Sequence, residues 1–294
     1  DANAHKYQSY QGLPALREGM AEFYKEHFNV SLNPANEILP LMGSKEGIMH
    51  ISMAFLNEGD GVLIPNPGYP TYQSVTNLVG AKAIFYELDE ANNWFPDFEA
   101  IEKQDLSQVK LMWVNYPHMP TGAGANEALY KDLISFAKKH NILIVNDNPY
   151  SFVLNDSPQS IMSVPGAKDV CLELNSLSKT FNMAGWRVGM LVGDSKYINP
   201  VLTVKSNMDS GMFYGIQKGA IEALKCSKDW FTELNSVYRK RRDLVWKLAK
   251  ALNCTYDEQA TGLFVWAKLP ANIQAETFID TILNNNYIFI TPGT

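Results

Sequence analysis

The chain has 294 residues, of which 46% are hydrophobic, and its 25 basic and 31 acidic side chains give a formal net charge of −6. This length supports a sizeable core, and the acidic balance disfavours a dedicated nucleic-acid-binding protein. No apolar run reaches the ~18 residues that a membrane span needs. The three cysteines are widely spaced and predict neither a disulfide framework nor a zinc site. We therefore expect a soluble, cytoplasmic protein that binds small molecules and needs no metal.

Short apolar segments alternate with helical segments along most of the chain. The first helix is predicted to begin at Pro14, where apolar residues recur at helical spacing. Further helices are predicted at residues 44–56, 69–78, 125–140 and 198–224, and strands at 37–42, 61–65, 81–86, 109–115, 142–147, 170–175 and 188–192. Apolar strands separated by helices indicate an α/β fold with a mostly parallel seven-stranded sheet. Such sheets bind ligands at the carboxyl ends of their strands.

The C-terminal part predicts a second, smaller α/β unit. A basic helix surrounds residues 238–242, and it precedes a strand at 262–268, a helix at 275–283 and a strand at 287–290. We place the boundary near residue 245. The predicted large domain is 15–245, and the small domain combines 1–14 with 246–294.

The most informative motif follows the strand at 170–175. Lys179 lies there among hydroxyl residues, and Arg187 follows eight residues later. Burial at a strand end lowers the pKa of a lysine towards that of a nucleophilic amine. Arg187 with Ser176 and Ser178 offers a guanidinium and two hydroxyls to an anion such as phosphate. A Ser-Lys pair alone is more often part of a surface loop, so the motif gains weight only from its neighbours.

Two further turns carry candidate ligand-binding groups. Asp147 ends a very apolar strand, where it is either a turn or helix cap or a buried carboxylate that pairs with a cation. Ser44 and Lys45 lie in a Gly-flanked strand-to-helix turn whose amides point outward and could hold a phosphate. An ordinary capped helix start is the alternative for this turn, which lacks the P-loop spacing.

Two Pro-rich loops follow other predicted strands. The first, residues 66–72, contains Tyr69, and the second, residues 115–122, begins at Asn115. Loops at this edge of a sheet commonly face a ligand. Tyr69 is either a core residue or an aromatic plate for a bound ring. Five turns on five strands thus offer an amine, a carboxylate, a phenol, an aromatic plate and a phosphate-binding group.

Together these segments resemble the aspartate aminotransferase superfamily of pyridoxal-phosphate enzymes, fold type I, and specifically aminotransferase class I and II. The resemblance extends from Tyr7 and residues 12–18 to residues 291–293. Its most specific motif is the Ser-x-Ser-Lys block with Arg187 eight residues after the lysine. The resemblance implies that Lys179 binds the cofactor aldehyde covalently, that Asp147 pairs with the pyridinium nitrogen and that Tyr150 hydrogen-bonds the ring phenolate.

The resemblance also implies the remaining contacts to pyridoxal phosphate. Tyr69 would pack against the ring, and Asn115 is a further candidate contact. The phosphate would be held by Ser44, Lys45, Ser176, Ser178 and Arg187. A tyrosine of the neighbouring subunit reaches the phosphate in this family, and Tyr7 matches its position. A homodimer with shared active sites is therefore expected.

The implied reaction moves an amino group between an L-amino acid and a 2-oxo acid by a ping-pong aldimine and ketimine sequence. A protonated pyridine nitrogen acts as an electron sink, and an ionised Asp147 keeps the proton on that nitrogen. Lys179, once displaced by the substrate amine, becomes the base that removes the Cα proton. Two alternatives remain: a pyridoxal-phosphate lyase, such as a C–S lyase, on the same fold, and a non-catalytic aminotransferase-like regulatory domain.

Met119 stands where most relatives have an asparagine that donates to the ring phenolate, and a thioether cannot donate. Either Tyr150 alone holds that oxygen, or Asn115, Asn148 or His118 substitutes.

No arginine remains for the substrate carboxylate, which the family binds through a residue beyond its Thr-Pro-Gly segment. The five arginines are Arg17, Arg187, Arg239, Arg241 and Arg242. Arg187 is assigned to phosphate and the last three to a charged helix face. We expect the sequence to be trimmed at both ends, beginning inside a longer gene product. The shortage of cations favours a neutral or aromatic amino donor.

Overall fold

The computed structural model describes residues 2–293, and its centre is one seven-stranded sheet. The strands are β1 Ile38–Leu41, β2 Gly61–Asn66, β3 Lys82–Glu87, β4 Val109–Val114, β5 Leu143–Asp147, β6 Cys171–Ser176 and β7 Gly189–Gly193. Their order is β1-β7-β6-β5-β4-β2-β3. Strands β6, β5, β4, β2 and β3 pair in parallel, and β7 runs antiparallel to both β6 and β1. The seven predicted strands of this sheet are therefore present, and no strand end is shifted by more than one residue.

Helices cover both faces of this sheet. The helices in chain order are α1 Pro14–Phe28, α2 Ser44–Phe55, α3 Thr71–Leu78, α4 Phe98–Ile101, α5 Glu127–His140, α6 Ala167–Val170, α7 Leu177–Thr180, α8 Ser195–Ser206, α9 Tyr214–Ala223, α10 Lys228–Ala251 and α11 Ala275–Asn286. One core cluster joins apolar residues of α1, α5 and α9 to one sheet face, and the other joins α2, α3 and α8 to the opposite face. Because side chains alternate along a strand, neighbouring strand residues contact different helix layers.

The predicted helix at 198–224 is wrong in one respect, because two helices, α8 and α9, occupy this region. Between them Gly211 has φ of +89°, and a Cβ there would lie 2.5 Å from the carbonyl oxygen of Gln8. Helix α8 already ends at Ser206, and because a positive φ at Gly211 is not helical, the segment between α8 and α9 cannot continue as one helix. Apolar spacing continues through the break, which is why the pattern predicted one element.

The C-terminal strands are also shorter than predicted. Only β8 Thr255–Tyr256 and β9 Ala267–Lys268 pair, in an antiparallel two-stranded sheet. The amides of Thr261 and Gly262 donate to carbonyls of Gly122 and Val153, so this segment bonds to loops instead of a strand. Residues 287–290 form no strand within the described part of the chain.

Helix α10 runs from Lys228 to Ala251 and crosses residue 245, near which we place the domain boundary. The division into 15–245 and the combined 1–14 and 246–294 stays a prediction. Among the helices of residues 2–293, none combines the length and apolar character of a bilayer span.

The packing of α5 makes a measurable prediction. Leu133 faces the sheet and is fully buried, whereas Leu78 at the end of α3 is 73% exposed. Leu133→Ala should lower the free energy of unfolding by about 2–5 kcal/mol, because it removes buried methyl groups and leaves a cavity. The control Leu78→Ala should change it by less than about 1 kcal/mol. Urea unfolding followed by circular dichroism measures both, and equal losses would contradict this packing.

Candidate active site

Ten of the predicted site residues line one cavity of about 300 Å³ at the carboxyl ends of the central strands. The lining residues are Ser44, Lys45, Tyr69, Tyr72, Asn115, Met119, Asp147, Pro149, Tyr150, Ser176, Ser178, Lys179, Ala184, Arg187 and Phe264. A larger cavity of about 660 Å³, near Trp94 and Trp266, contains none of the predicted site residues. The smaller cavity is the candidate active site, because the candidate reactive groups converge there.

Strand register explains this convergence. Asp147 ends β5 opposite Leu174, and Ser176 ends β6 opposite Gly189 of β7. Parallel strands bring their carboxyl ends to one edge of the sheet, so residues distant in sequence meet there. Ser176 then caps the short helix α7, its Oγ accepting from the amide of Ser178 at 3.1 Å. Lys179 is half-buried in that helix and contributes to the cavity wall.

Two glycines permit a close approach between the start of α2 and the segment before β7. Gly43 has φ of +88°, and a Cβ there would overlap the guanidinium of Arg187. A Cβ at Gly189 would lie 2.7 Å from the amide nitrogen of Ser44. With both glycines in place, Arg187 lies beside the first turn of a twelve-residue helix. A guanidinium beside helix N-terminal amides is suited to bind a phosphate dianion.

Among the described residues, Asp147 is the one carboxylate that lines this cavity. Its Oδ2 accepts a hydrogen bond of 3.0 Å from the hydroxyl of Tyr72, whereas its buried Oδ1 has no partner among the described residues. Burial raises the pKa of Asp147 to about 7, the Tyr72 hydrogen bond opposes that rise, and the charge of Glu173 adds to it. An unpartnered carboxylate oxygen in a cavity is suited to accept a hydrogen bond from a cationic ligand group.

Aromatic packing positions the side chains around this carboxylate. Tyr72 stacks on Trp113, with ring centroids 5.0 Å apart and planes 6° apart, and Tyr69 meets Tyr72 edge-on at 5.6 Å. Tyr150 meets Phe264 edge-on at 5.9 Å. Burial also raises the pKa of Tyr150, so its phenol stays protonated near neutral pH and remains a hydrogen-bond donor.

Met119 lies beside this phenol, its Sδ 3.8 Å from the hydroxyl oxygen of Tyr150. Of the three candidate substitutes for the missing asparagine, only Asn115 lines the cavity. Its Nδ2 donates to the carbonyl of Asp147, and its Oδ1 accepts from the amide of Met119. His118 instead contacts Thr121 through Nδ1.

Asn148, the third candidate, is fully buried and donates to the carbonyl of Gln159. An amide nitrogen has two N–H donors. Asn115 therefore keeps a second donor for a ligand, whereas Asn148 and His118 lie outside the cavity wall.

Sequence reasoning missed Tyr72 and Phe264. Tyr72 lies inside the segment 66–72 that the sequence singled out, but its partner Asp147 is 75 positions away. Phe264 reaches Tyr150 from the C-terminal part of the chain. No local pattern encodes either contact, because both depend on tertiary packing.

Tyr7 lies outside the cavity wall and is 91% exposed, so its assigned role in a neighbouring subunit stays a prediction. Of the five arginines, only Arg187 lines the cavity. Arg17 donates to Gln11, and Arg239 pairs with Asp156. Within residues 2–293, no second arginine is available at this site.

Comparisons with known proteins identify the family. Residues 1–294 match the family model for aminotransferase class I and II. An LL-diaminopimelate aminotransferase of Dehalococcoides mccartyi is 42% identical over 296 residues, which cover all of this chain and 76% of that protein. One from Nitratidesulfovibrio vulgaris is 42% identical over 293 residues, covering 98% of this chain and 75% of the relative.

Solved structures agree on the fold. BacF from Bacillus subtilis superposes with a TM-score of 0.95 at 37% identity, covering 99% of this chain and 75% of that one. An aminotransferase from Staphylococcus aureus superposes with a TM-score of 0.93 at 29% identity, and the match covers 100% of this chain and 78% of that one. The fold is thus that of the fold-type-I transferases. The chain belongs to the aminotransferase class I and II family, and the predictions of fold and of transaminase activity are confirmed.

The buried carboxylate predicts an unusual pH dependence of stability in the cofactor-free protein. Its pKa rises from 3.8 unfolded to about 7 folded, so the folded state keeps a proton that the unfolded chain loses. The stabilisation of the folded state by this bound proton is complete below about pH 4, and it is lost as the pH rises through about 7. The free energy of unfolding of Asp147→Asn should therefore exceed that of wild type by roughly 1–4 kcal/mol at about pH 8, and the two should be equal at about pH 4.

Denaturant unfolding at both pH values measures this difference. Asp132→Asn, at an exposed position of α5, is the matched control and should show none. An Asp147→Asn protein that is no more stable than wild type at the higher pH would contradict the burial of an ionisable carboxyl here.

Proposed function

We propose that this chain is a pyridoxal-phosphate-dependent aminotransferase that exchanges an amino group between an L-amino acid and a 2-oxo acid. The observation that carries the cofactor assignment is the buried, unpartnered Oδ1 of Asp147 in a cavity that Lys179 and Arg187 also line. These groups fit the cofactor, since a ring nitrogen, an aldehyde and a phosphate require an anion, an amine and a cation. The family assignment supports the same proposal, because the resemblance of the motif residues to this family implies pyridoxal phosphate.

Each wall of the cavity has a binding role in this proposal. Asp147 holds a proton on the ring nitrogen, and Tyr72 keeps the Asp147 carboxylate oriented through its 3.0 Å hydrogen bond. Tyr150 and Asn115 donate to the ring phenolate oxygen, and Tyr69 packs against the ring. The phosphate is held by Arg187, Ser176, Ser178 and the amides of Ser44 and Lys45.

When bound, pyridoxal phosphate supplies an electron sink for the bonds of the substrate Cα. Lys179 would hold the cofactor through its aldehyde, and the Nζ of Lys179 would be the base that takes the proton from the substrate Cα. Lys179 fits this role better than Lys45, because Lys179 is half-buried and Lys45 is exposed. One tethered amine can both take the proton and return it. Because the oxo product would leave before the second oxo acid binds, we expect ping-pong kinetics.

Absorbance spectroscopy tests the cofactor assignment. Wild-type protein with added pyridoxal phosphate should show a visible band whose intensity depends on pH, and Lys179→Ala should lose that band and at least about 10³-fold of kcat, since it lacks the nucleophile and the base. Lys45→Ala, which removes an exposed cavity lysine, should keep the band. Wild-type protein without a band, or Lys179→Ala with one, would refute the assignment.

We further propose LL-diaminopimelate as the amino donor. This donor is named in the curated relatives that are 42% identical to the chain over nearly its whole length. It replaces our expectation of a neutral or aromatic donor, which rested on the shortage of arginines alone. We also propose that the active form is a homodimer in which Tyr7 reaches the neighbouring phosphate site, a role supported by its exposure.

A donor panel tests this substrate proposal. The kcat/KM for LL-diaminopimelate should exceed those for L-leucine and L-phenylalanine by at least about tenfold, because a site that binds a second polar end rejects analogues without it. Incubation without a 2-oxo acid should release one equivalent of oxo product per site and stop. Continued turnover would indicate a lyase, and a preference for phenylalanine would refute the proposed donor.

A further inference from the structure

A second buried carboxylate lies behind the candidate active site, on the reverse face of the sheet. Glu173 lies within β6 and is fully buried. Side chains alternate along strands, so Asn115, Asp147 and Ser176 face the cavity. The preceding or following residues, Tyr116, Asn146 and Asn175, face α1 and α5 with Glu173. We call Tyr24, Tyr116, Asn146, Glu173 and Asn175 the rear network.

The carboxylate of Glu173 accepts four hydrogen bonds. Its Oε1 accepts from the hydroxyls of Tyr24 at 2.8 Å and Ser160 at 2.7 Å. Its Oε2 accepts from Nδ2 of Asn146 at 2.9 Å and the amide of Ile161 at 3.1 Å. An ionised carboxylate offers about four acceptor sites, so this set matches the anion. No ion pair among residues 2–293 includes Glu173, and the charge is held by hydrogen-bond donors alone.

The rear network continues from Glu173 to the ends of β5 and β4 and to the end of its own strand, β6. Asn146 Oδ1 accepts from the amide of Tyr116 at 3.2 Å, which links β5 to the segment after β4. Tyr24 accepts from Nδ2 of Asn175 at 3.5 Å, and Asn175 Oδ1 accepts from the amide of Ser176 at 2.7 Å. Tyr116 follows Asn115 and Asn146 precedes Asp147 in the chain, and the last hydrogen bond is made by the amide of Ser176 itself.

We propose that Glu173 is a positioning residue for the proposed transamination. It holds the strand ends that carry Asn115, Asp147 and Ser176. It also places a second anion behind Asp147, and this anion favours a cationic ring nitrogen. This inference rests on the proposed function of the cavity. The titratable groups around Glu173 are Tyr24 of α1, Tyr130 of α5 and Asp147 of β5, together with Cys171 of its own strand. Burial and nearby negative charge raise the pKa of both tyrosines, of Cys171 and of Asp147, so near neutral pH the tyrosines and the thiol stay neutral. Burial also raises the pKa of Glu173, and its four hydrogen-bond donors oppose that rise. The ionised form, which those four donors match, is the charge that raises the pKa of Asp147.

Glu173→Gln removes the charge while the network can remain bonded. The hydroxyls of Tyr24 and Ser160 can rotate to accept from the new amide, and its oxygen can still accept from Asn146 and Ile161. The variant should therefore fold, and it separates the charge from the packing.

The test compares two cofactor probes, pyridoxal phosphate and its analogue with carbon in place of the ring nitrogen. Glu173→Gln should weaken binding of pyridoxal phosphate about tenfold, the effect of one pKa unit at the ring nitrogen. Binding of the analogue should change by less than about twofold, because that ring has no nitrogen to protonate. Glu37→Gln, which alters a carboxylate paired with Lys168 and outside the rear network, should change neither affinity.

A second variant covers the case in which Glu173→Gln does not fold. Ser160→Ala removes one donor from the carboxylate and so raises the pKa of Glu173. As the pH is lowered and Glu173 takes up a proton, the preference of this variant for pyridoxal phosphate over the analogue should therefore disappear at a higher pH than it does in wild type.

The outcomes distinguish this inference from the proposed function. Equal weakening of both probes in Glu173→Gln, no weakening at all, or an unchanged pH profile in Ser160→Ala would overturn the role of Glu173. Wild-type protein that binds pyridoxal phosphate without a covalent link to Lys179 would refute the proposed function itself. The two failures therefore appear in different proteins and in different measurements.

Discussion

Burial of the Asp147 carboxylate at the end of β5 is the constraint around which the site is arranged. A carboxylate removed from water is costly unless hydrogen bonds or a cation compensate it. Here Tyr72 compensates one oxygen and leaves the other unpartnered among the described residues. Burial and the charge of Glu173 raise the pKa of Asp147, and in the cofactor-free protein they oppose ionisation. A cation bound beside Asp147 would relieve both effects, so the free-energy cost of burying this carboxylate would be offset when such a cation binds.

The sheet places this carboxylate opposite the groups that bind the other end of a ligand. Asp147 lies on the central strand β5, whereas Arg187 and the first turn of α2 meet beside β7 at the same edge. Gly43 and Gly189 allow that meeting, since a side chain at either would collide with its neighbour. Lys179 comes just after the end of β6. In the sheet, β6 lies between β5, which carries Asp147, and β7, beside which Arg187 lies. The polarity of the cavity is therefore set by strand order and by two glycines.

Much of this fold could be predicted from local pattern. Strands such as 142–147 are apolar on both faces, which distinguishes a buried parallel sheet from surface strands. The pattern failed where a single backbone conformation or a distant partner decided the structure. Gly211, with its positive φ, lies in the break between α8 and α9 although the apolar spacing continues there, and residues 261–262 bond to loops that no local rule identifies.

The candidate site divides in the same way. Lys179, Asp147 and Arg187 lie in short motifs at strand ends, so their convergence followed from the parallel sheet. The contributions of Tyr72, Phe264 and Glu173 could not be predicted, because they depend on partners brought together by packing, even though Tyr72 lies inside the segment 66–72.

The central claim is that a cofactor aldehyde bonds to one particular amine. Borohydride reduction of the full chain loaded with pyridoxal phosphate, followed by peptide mass spectrometry, locates that bond directly. The account predicts one reduced pyridoxyl group per chain, on the peptide that contains Lys179. A group distributed over surface lysines, or located on Lys45 with Lys179 unmodified, would contradict it.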